Sequence, residues 1–213
     1  MKPLQPVIKW SGSKRTVASQ LGEFFLPANT YYEPFVGGGA MMPFAKSRRG
    51  KASDIIPELI NLWNEIKNNP EKVVEEYEVR WNRLQDEGYQ VFYEIRDRFN
   101  NTKSPFDFLF LTRTCLNGMI RYNRAGEFNN SLHLTRPGIA PQRLSAIIYQ
   151  WSTCMKKFNF FNVDYRECLE DVKKGDFVFL DPPYGGTKSR YTQTPFSLDE
   201  FYHVLDQLNR KEV

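Results

Sequence analysis

A chain of 213 residues with 41% hydrophobic and 15% aromatic side chains can build one good core, or a core with an inserted lobe, and does not belong to the disordered class. Its formal charge of +4 is too mild to establish a nucleic-acid partner unaided. Its three scattered cysteines and two lone histidines exclude a disulfide framework and give no metal-site spacing.

The N-terminal stretch "MKPLQPVIKW" holds no apolar run of signal-peptide length, and no segment could span a bilayer, so reduced cytosol is the expected compartment. The following "KWSGSKR" joins lysine and tryptophan to small residues. Trp10 reads as core or as a ligand wall, and Lys14 as positive charge beside a loop. "TYYEPFVGGGAMM", residues 30 to 42, predicts a short strand entering a glycine turn, with a helix after it. Gly37, Gly38 and Gly39 lack a Cβ, so the backbone can turn tightly and approach a nucleotide-like ligand. A dinucleotide fingerprint would want another glycine where Met42 stands.

"RRGKASDIIPELINLWNEIKNNP" predicts a strand ending at Asp54. A helix follows with Pro57 in its first turn and Leu59, Leu62, Trp63 and Ile66 on one face. Asp54 is placed either to accept from ribose hydroxyls or to cap that helix. From about residue 70 to 150 the pattern is mainly helical, over "EKVVEEYEVRWNRLQDEGYQVFYEIRDRF", "PFDFLFLTRTCLNGMI" and "APQRLSAIIYQWSTCMKKF". A polar, basic, turn-prone stretch, "RYNRAGEFNNSLHLTRPGI", divides the last two. Clusters at Lys46, Arg48, Arg49 and Lys51, and at Arg113, Arg121, Arg124, Arg136 and Arg143, read as a solvated face or a nucleic-acid footprint. Strands return with "FNFFNVDYREC" and "GDFVFLD". Ser197 and Glu200 form a capping box that opens a last helix. The whole reads as an α/β fold, a mainly parallel sheet interrupted by a helical insert.

"DPPY", Asp181 to Tyr184, carries the sharpest signal. Ligands of a parallel sheet bind beyond the carboxyl ends of its strands, where this tetrapeptide falls. Pro182 and Pro183 remove two donors and stiffen the chain, so a carbonyl points in a fixed direction. Asp181 supplies a second acceptor and Tyr184 a face for a planar ring. Two converging acceptors suit an exocyclic amine.

Taken in order, "KWSGSKR", "EPFVGGGA", "SDIIPELINLW", "RTCLNGMIRYNRAGEFN" and "DPPY" resemble the Dam-like D12 class of DNA adenine-N6 methyltransferases over nearly the whole chain. The resemblance implies a Rossmann-like sheet binding S-adenosylmethionine, with S-adenosylhomocysteine as product and no metal. It assigns residues 1–57 and 155–213 to a discontinuous catalytic domain and 58–154 to a helical DNA-recognition insert. Trp10, Lys14, Glu33, Phe35, Gly37, Gly38, Gly39, Asp54 and Asp181 are the implied cofactor set, with Asp164 and Tyr165 at the cofactor's adenine. Asp181, Pro182, Pro183 and Tyr184 are the implied catalytic residues. Lys9, Asn117, Met119, Arg121, Asn123, Arg124, Arg136 and Lys188 are the implied DNA contacts. Asn117 and Arg121 would read base edges, Met119 would wedge into the stack, and Arg124 or Arg136 would hold phosphate. Each of these also has a reading as a surface or intramolecular partner. The loop "GGTKSRYTQTP", with Lys188 and Arg190, either closes over a flipped base or is simply solvated.

The implied partner is double-stranded DNA, with a complementing chain or a restriction endonuclease as further candidates, no membrane, and otherwise a monomer. A bacterial or phage-encoded cytoplasmic setting is expected. After "GEFN" the chain departs from the GATC-reading pattern, so GATC is a candidate site only. The family normally adds strands after the helix that follows "DPPY", and the chain stops at Val213. An incomplete sheet, and a split or binding-only form, are therefore expectations beside the active enzyme. A nicotinamide oxidoreductase is disfavoured by Met42 and by the lack of a hydride-transfer acid or base.

Overall fold

The computed structural model describes residues 2–136, 138–183 and 196–213. In chain order the regular elements are α1 (Ala18–Leu21), β1 (Ala28–Glu33), β2 (Ser47–Ser53), α2 (Pro57–Asn68), α3 (Pro70–Glu87), α4 (Gln90–Thr102), α5 (Pro105–Thr114), α6 (Pro141–Met155), β3 (Phe158–Phe161), α7 (Tyr165–Cys168), β4 (Phe177–Val178) and α8 (Leu198–Arg210). They fall into two compact units, one of residues 1–3, 14–57 and 157–213, the other of residues 4–13 and 58–156.

The first unit is built on a parallel sheet in the order β3-β2-β1-β4. Strands covered on both faces need apolar side chains in both directions. β1 meets this with adjacent buried Tyr31 and Tyr32. Tyr31 joins Phe25, Phe158 and Phe177 in a cluster of rings with centroids 4.7 to 6.0 Å apart. Tyr32 packs with Tyr165, Leu169, Val172, Phe201 and Leu208. Gly50 of β2 is required by this packing, because a Cβ there would lie 2.3 Å from the Phe158 ring. β4 is short, but the Phe179 N–H donates to Tyr32 O at 2.8 Å and carries the ladder one step toward Asp181. The buried Asp176 carboxylate starts that strand, accepting from Thr30 N and Lys173 N at 3.1 Å each.

α8 opens as its capping box predicts, with Ser197 Oγ accepting from Glu200 N at 3.3 Å. Its stripe of Phe201, Val204, Leu205 and Leu208 packs into the Tyr32 cluster. Burying each large side chain of that stripe contributes about 1.5–3 kcal/mol. The helix expected after the glycine turn is only a single 3₁₀ turn, Met42–Phe44. Pro43 has no N–H to donate, and β2 begins at Ser47, so a longer helix has neither donors nor room.

The second unit packs α2 to α6. Leu59, Leu62, Trp63 and Ile66 of α2 are fully buried, and Trp63 meets Trp151 of α6 at 5.3 Å. α5 is buried on every side, as a helix apolar nearly all round must be. The expected helical run over 71–99 breaks at Gly88, whose φ of +90° only glycine adopts at little cost. The run over 105–120 also stops early. Cys115 is extended and bridges Leu132 in antiparallel fashion. Residues 4–13 join this unit rather than the sheet. Trp151 Nε1 donates to Gln5 O at 2.7 Å and Arg113 donates to Pro6 O at 3.4 Å, which fastens the segment to the helices.

Candidate active site

All four strands run in one direction, so their carboxyl ends lie at one edge of the sheet. Glu33 ends β1, Asp54 follows β2, Asp164 follows β3 and Asp181 follows β4. Of the sequence candidates in this unit, Lys14 and Asp181 are directly joined, Nζ to Oδ1 at 2.7 Å, with both side chains about 30% exposed. Asp54 holds the glycine turn: one carboxylate oxygen accepts from Gly37 N at 3.1 Å, the other from Ile56 N at 3.3 Å. It therefore caps the approach to α2 and braces the glycine loop together.

Asp164 caps α7, accepting from Arg166 N at 3.0 Å and Arg166 Nε at 2.7 Å, while the same guanidinium reaches Glu200 at 2.9 Å. Beside it stands a cage of rings that the sequence reading only half identified. Tyr165 stacks on Phe35 at 5.2 Å, and Phe196 and Phe201 close in at 5.8 and 5.9 Å. The Tyr165 hydroxyl is buried and has no partner among the described residues. Burial raises its pKa, so it stays a donor. An unsatisfied buried donor among aromatic faces suits a planar heterocycle with an acceptor edge. Phe196 and Phe201 escaped the sequence reading because, next to a capping box, they read as ordinary core.

Glu33 is buried to 3% exposure and accepts a hydrogen bond from Tyr31 Oη at 2.8 Å. Burial raises its pKa, the tyrosine bond lowers it and the nearby Asp181 charge raises it again, leaving it at about 8. Pro182 and Pro183 follow Asp181 as the chain leaves the sheet. Tyr184, Lys188 and Arg190 lie outside the described residues.

Trp10 and Lys9 belong to the helical unit. Lys9 packs on Gly118, where an added Cβ would sit 2.2 Å from its side chain. Asn117 and Gly118 have φ of +56° and +64°, a tight turn that leaves Asn117 and Met119 exposed. Asn130, which the sequence reading missed, pins this turn by donating to Leu116 O at 3.0 Å and Met119 O at 2.8 Å. Arg121 is partly committed, donating to Asn129 Oδ1 at 2.9 Å and Asn129 O at 3.1 Å. Asn123 shapes a hairpin turn, its Oδ1 accepting from Ala125 N and Glu127 N. Tyr122 and Phe128 bridge below that turn, and Arg124 is exposed within it. Arg136 stands exposed in a second turn, where His133 Nδ1 accepts from its N–H at 3.2 Å. The unit thus presents exposed Lys9, Asn117, Met119, Arg121, Arg124 and Arg136.

Among the described residues no three His, Cys, Asp or Glu side chains gather as a metal would need, and no helix is long and apolar enough to cross a membrane. Cys115, Cys154 and Cys168 are free thiols.

A parallel sheet with a braced glycine turn, a lysine–aspartate pair before two prolines and an aromatic cluster has the form of an α/β domain that binds ligands at the carboxyl edge of its strands. Residues 10–209 match the family model of the D12 class N6 adenine-specific DNA methyltransferases, and the chain belongs to that family. It is 29% identical to the retron Ec67 DNA adenine methylase of Escherichia coli, over 96% of this chain and 72% of that protein. It is 28% identical to the type II methyltransferase M.MjaIII of Methanocaldococcus jannaschii, over 98% of this chain and 82% of the relative. The DNA adenine methylase of Haemophilus influenzae is 28% identical over 92% of this chain and 70% of its own.

Proposed function

We propose that the chain transfers the methyl group of S-adenosylmethionine to the N6 amine of an adenine flipped out of duplex DNA, at the carboxyl edge of the sheet. The observation that carries this reading is Asp181, paired to Lys14 at the end of β4 and followed by two prolines. The cofactor supplies an electrophilic methyl on sulfur. Its adenine would enter the cage of Phe35, Tyr165, Phe196 and Phe201 with Asp164 beside it. Its ribose would meet Asp54, and its amino-acid part would lie over the Gly37–Gly39 backbone near Lys14.

The target amine lies inside the stack of a duplex and must be extruded. Once out, it would donate to the Asp181 carboxylate and to the Pro182 carbonyl, whose direction the proline rings hold. Two acceptors placed so draw both N–H bonds out of line and leave the nitrogen lone pair free to attack. Orientation and fixed charge supply the acceleration. Tyr184 is assigned to stack on the base. Lys9, Asn117, Met119, Arg121, Asn123, Arg124, Arg136 and Lys188 are assigned to the duplex, with the cations at phosphate and Asn117 or Arg121 at base edges. Because Asn123 is committed to its turn, its contribution is to shape the hairpin.

Incubating the purified chain with labelled S-adenosylmethionine and varied duplexes tests the reading directly. The expected product is N6-methyladenine at one sequence context, with the label lost in Asp181→Ala. Label on cytosine, or full transfer by that variant, would overturn it.

A further inference from the structure

Glu33 is the one site carboxyl that the mechanism leaves without a task. It sits at the end of β1, almost wholly out of solvent. Its single hydrogen-bond donor among the described residues is the neutral Tyr31 hydroxyl on the same strand. From β4 it is faced by Asp181, a second acid. Lys14, on the segment before α1, is paired with that aspartate. Across β2, Asp54 is turned to backbone N–H groups instead.

A wholly buried acid beside a second, half-buried one does not ionise cheaply. A lone desolvated carboxylate costs several kcal/mol, and a like charge nearby adds to that cost. Burial and the neighbouring acid therefore favour the protonated form of Glu33, consistent with its carboxyl lying near 8 rather than near its ordinary value of 4.5. The methyl donor changes that balance. Its ammonium and carboxylate cancel, leaving the sulfonium as one excess positive charge. The demethylated product has no sulfonium and no excess charge.

Resting on the cofactor reading above, we propose that Glu33 is the counter-ion of the sulfonium: it enters binding as the neutral acid and releases its proton to solvent when the methyl donor is seated. No bond other than O–H breaks, and the proton passes to buffer. The device lets the same pocket distinguish donor from product by charge. It favours the sulfonium while Glu33 is ionised, and regains a proton once the sulfur becomes a neutral thioether.

Calorimetric titration of the whole chain in phosphate and in Tris, buffers of different ionisation enthalpy, reads the proton. At about pH 7 the donor is expected to release close to one proton per molecule bound. S-adenosylhomocysteine is expected to release none. An analogue carrying an amine in place of the sulfonium should behave like the donor. Glu33→Gln should bind the donor with the same heat in both buffers. If that variant does not fold, Tyr31→Phe serves instead. Losing its hydrogen bond raises the Glu33 pKa, so the pH at which release fades moves upward. Donor binding with buffer-independent heat in the wild type would overturn the inference, as would equal release by S-adenosylhomocysteine or undiminished release in Glu33→Gln. Failure of the wild type to bind the donor at all would remove the cofactor reading, and this inference with it.

Discussion

The two units use buried or braced charge to opposite ends. In the helical unit, Asp107 is fully buried on α5 and held by Arg80 at 2.7 Å and by Arg98 at 2.5 and 2.8 Å. All of its strong partners are side chains, and the arrangement is closed. At the sheet edge, Asp54 accepts from the backbone N–H groups of Gly37 and Ile56. Among the described residues, Asp181 meets a lysine about 30% exposed, and Glu33 a neutral hydroxyl. An acid saturated by guanidinium groups is closed within the fold, whereas the acids at the mouth of the sheet are held by backbone N–H groups, a lysine and a hydroxyl. Residue type alone does not separate the two cases; coordination does.

Removing Asp107 tests the closed half of that contrast and carries the largest expected effect. Asp107→Ala would leave buried Arg80 with Glu76 as its remaining carboxylate partner and half-exposed Arg98 to solvent, and cost about 3 kcal/mol in a urea titration. Asp181→Ala should leave that titration nearly unchanged and lower the methyl-transfer rate by about 10²–10³-fold in single-turnover assays. The two variants would then be mirror images, and a shared phenotype would break the contrast. Between them falls Gly118→Ala. It demands φ of +64° from an alanine and drives a Cβ into Lys9, a cost of about 1–2 kcal/mol, with weaker DNA binding in a gel-shift titration.

Glu33 gives a pH signature. Its folded pKa of about 8 lies above its ordinary 4.5, so the native state holds the extra proton between those values. Its contribution to stability is present at low pH and declines as pH rises from about 4.5 toward 8. Thermal melts across that window should show a shallower decline in Glu33→Gln. The smallest stability effect is expected for Arg124→Ala, within about 0.5 kcal/mol. Its consequence should appear instead as a loss of about one from the salt slope of DNA binding.

Much of this was legible in the chain before any coordinates. The glycine turn, the capping box at Ser197 and the acid at the end of each inferred strand follow from local rules, because strand ends and helix starts impose short-range demands on residue type. Asp54 was undecided between two roles, and in the structure its two oxygens face Gly37 N in the glycine turn and Ile56 N just ahead of α2. What stayed illegible depends on long-range contact. The bond between Asn130 and Leu116, the orphaned hydroxyl of Tyr165 and the isolation of Glu33 are properties of neighbours brought in from elsewhere in the chain. Arg121 and Asn123 show the same limit from the other side. Both read as contacts for a ligand, and both already have partners within the hairpin.

The strand order carries a consequence for how the molecule is made. β2 and β3 are neighbours, yet residues 54–157 separate them along the chain, and β1 must wait longer still for β4. The helical unit lies almost wholly inside that gap, with α3 packed on α4, α5 and α6 and α4 on α5. Loop closure before any long-range pairing is slow, whereas helix packing between near neighbours is fast. On the ribosome the helices can assemble while half of the sheet is still unsynthesised. Pulsed hydrogen exchange should accordingly protect α3 and α5 before β1 and β2, even though those strands emerge first.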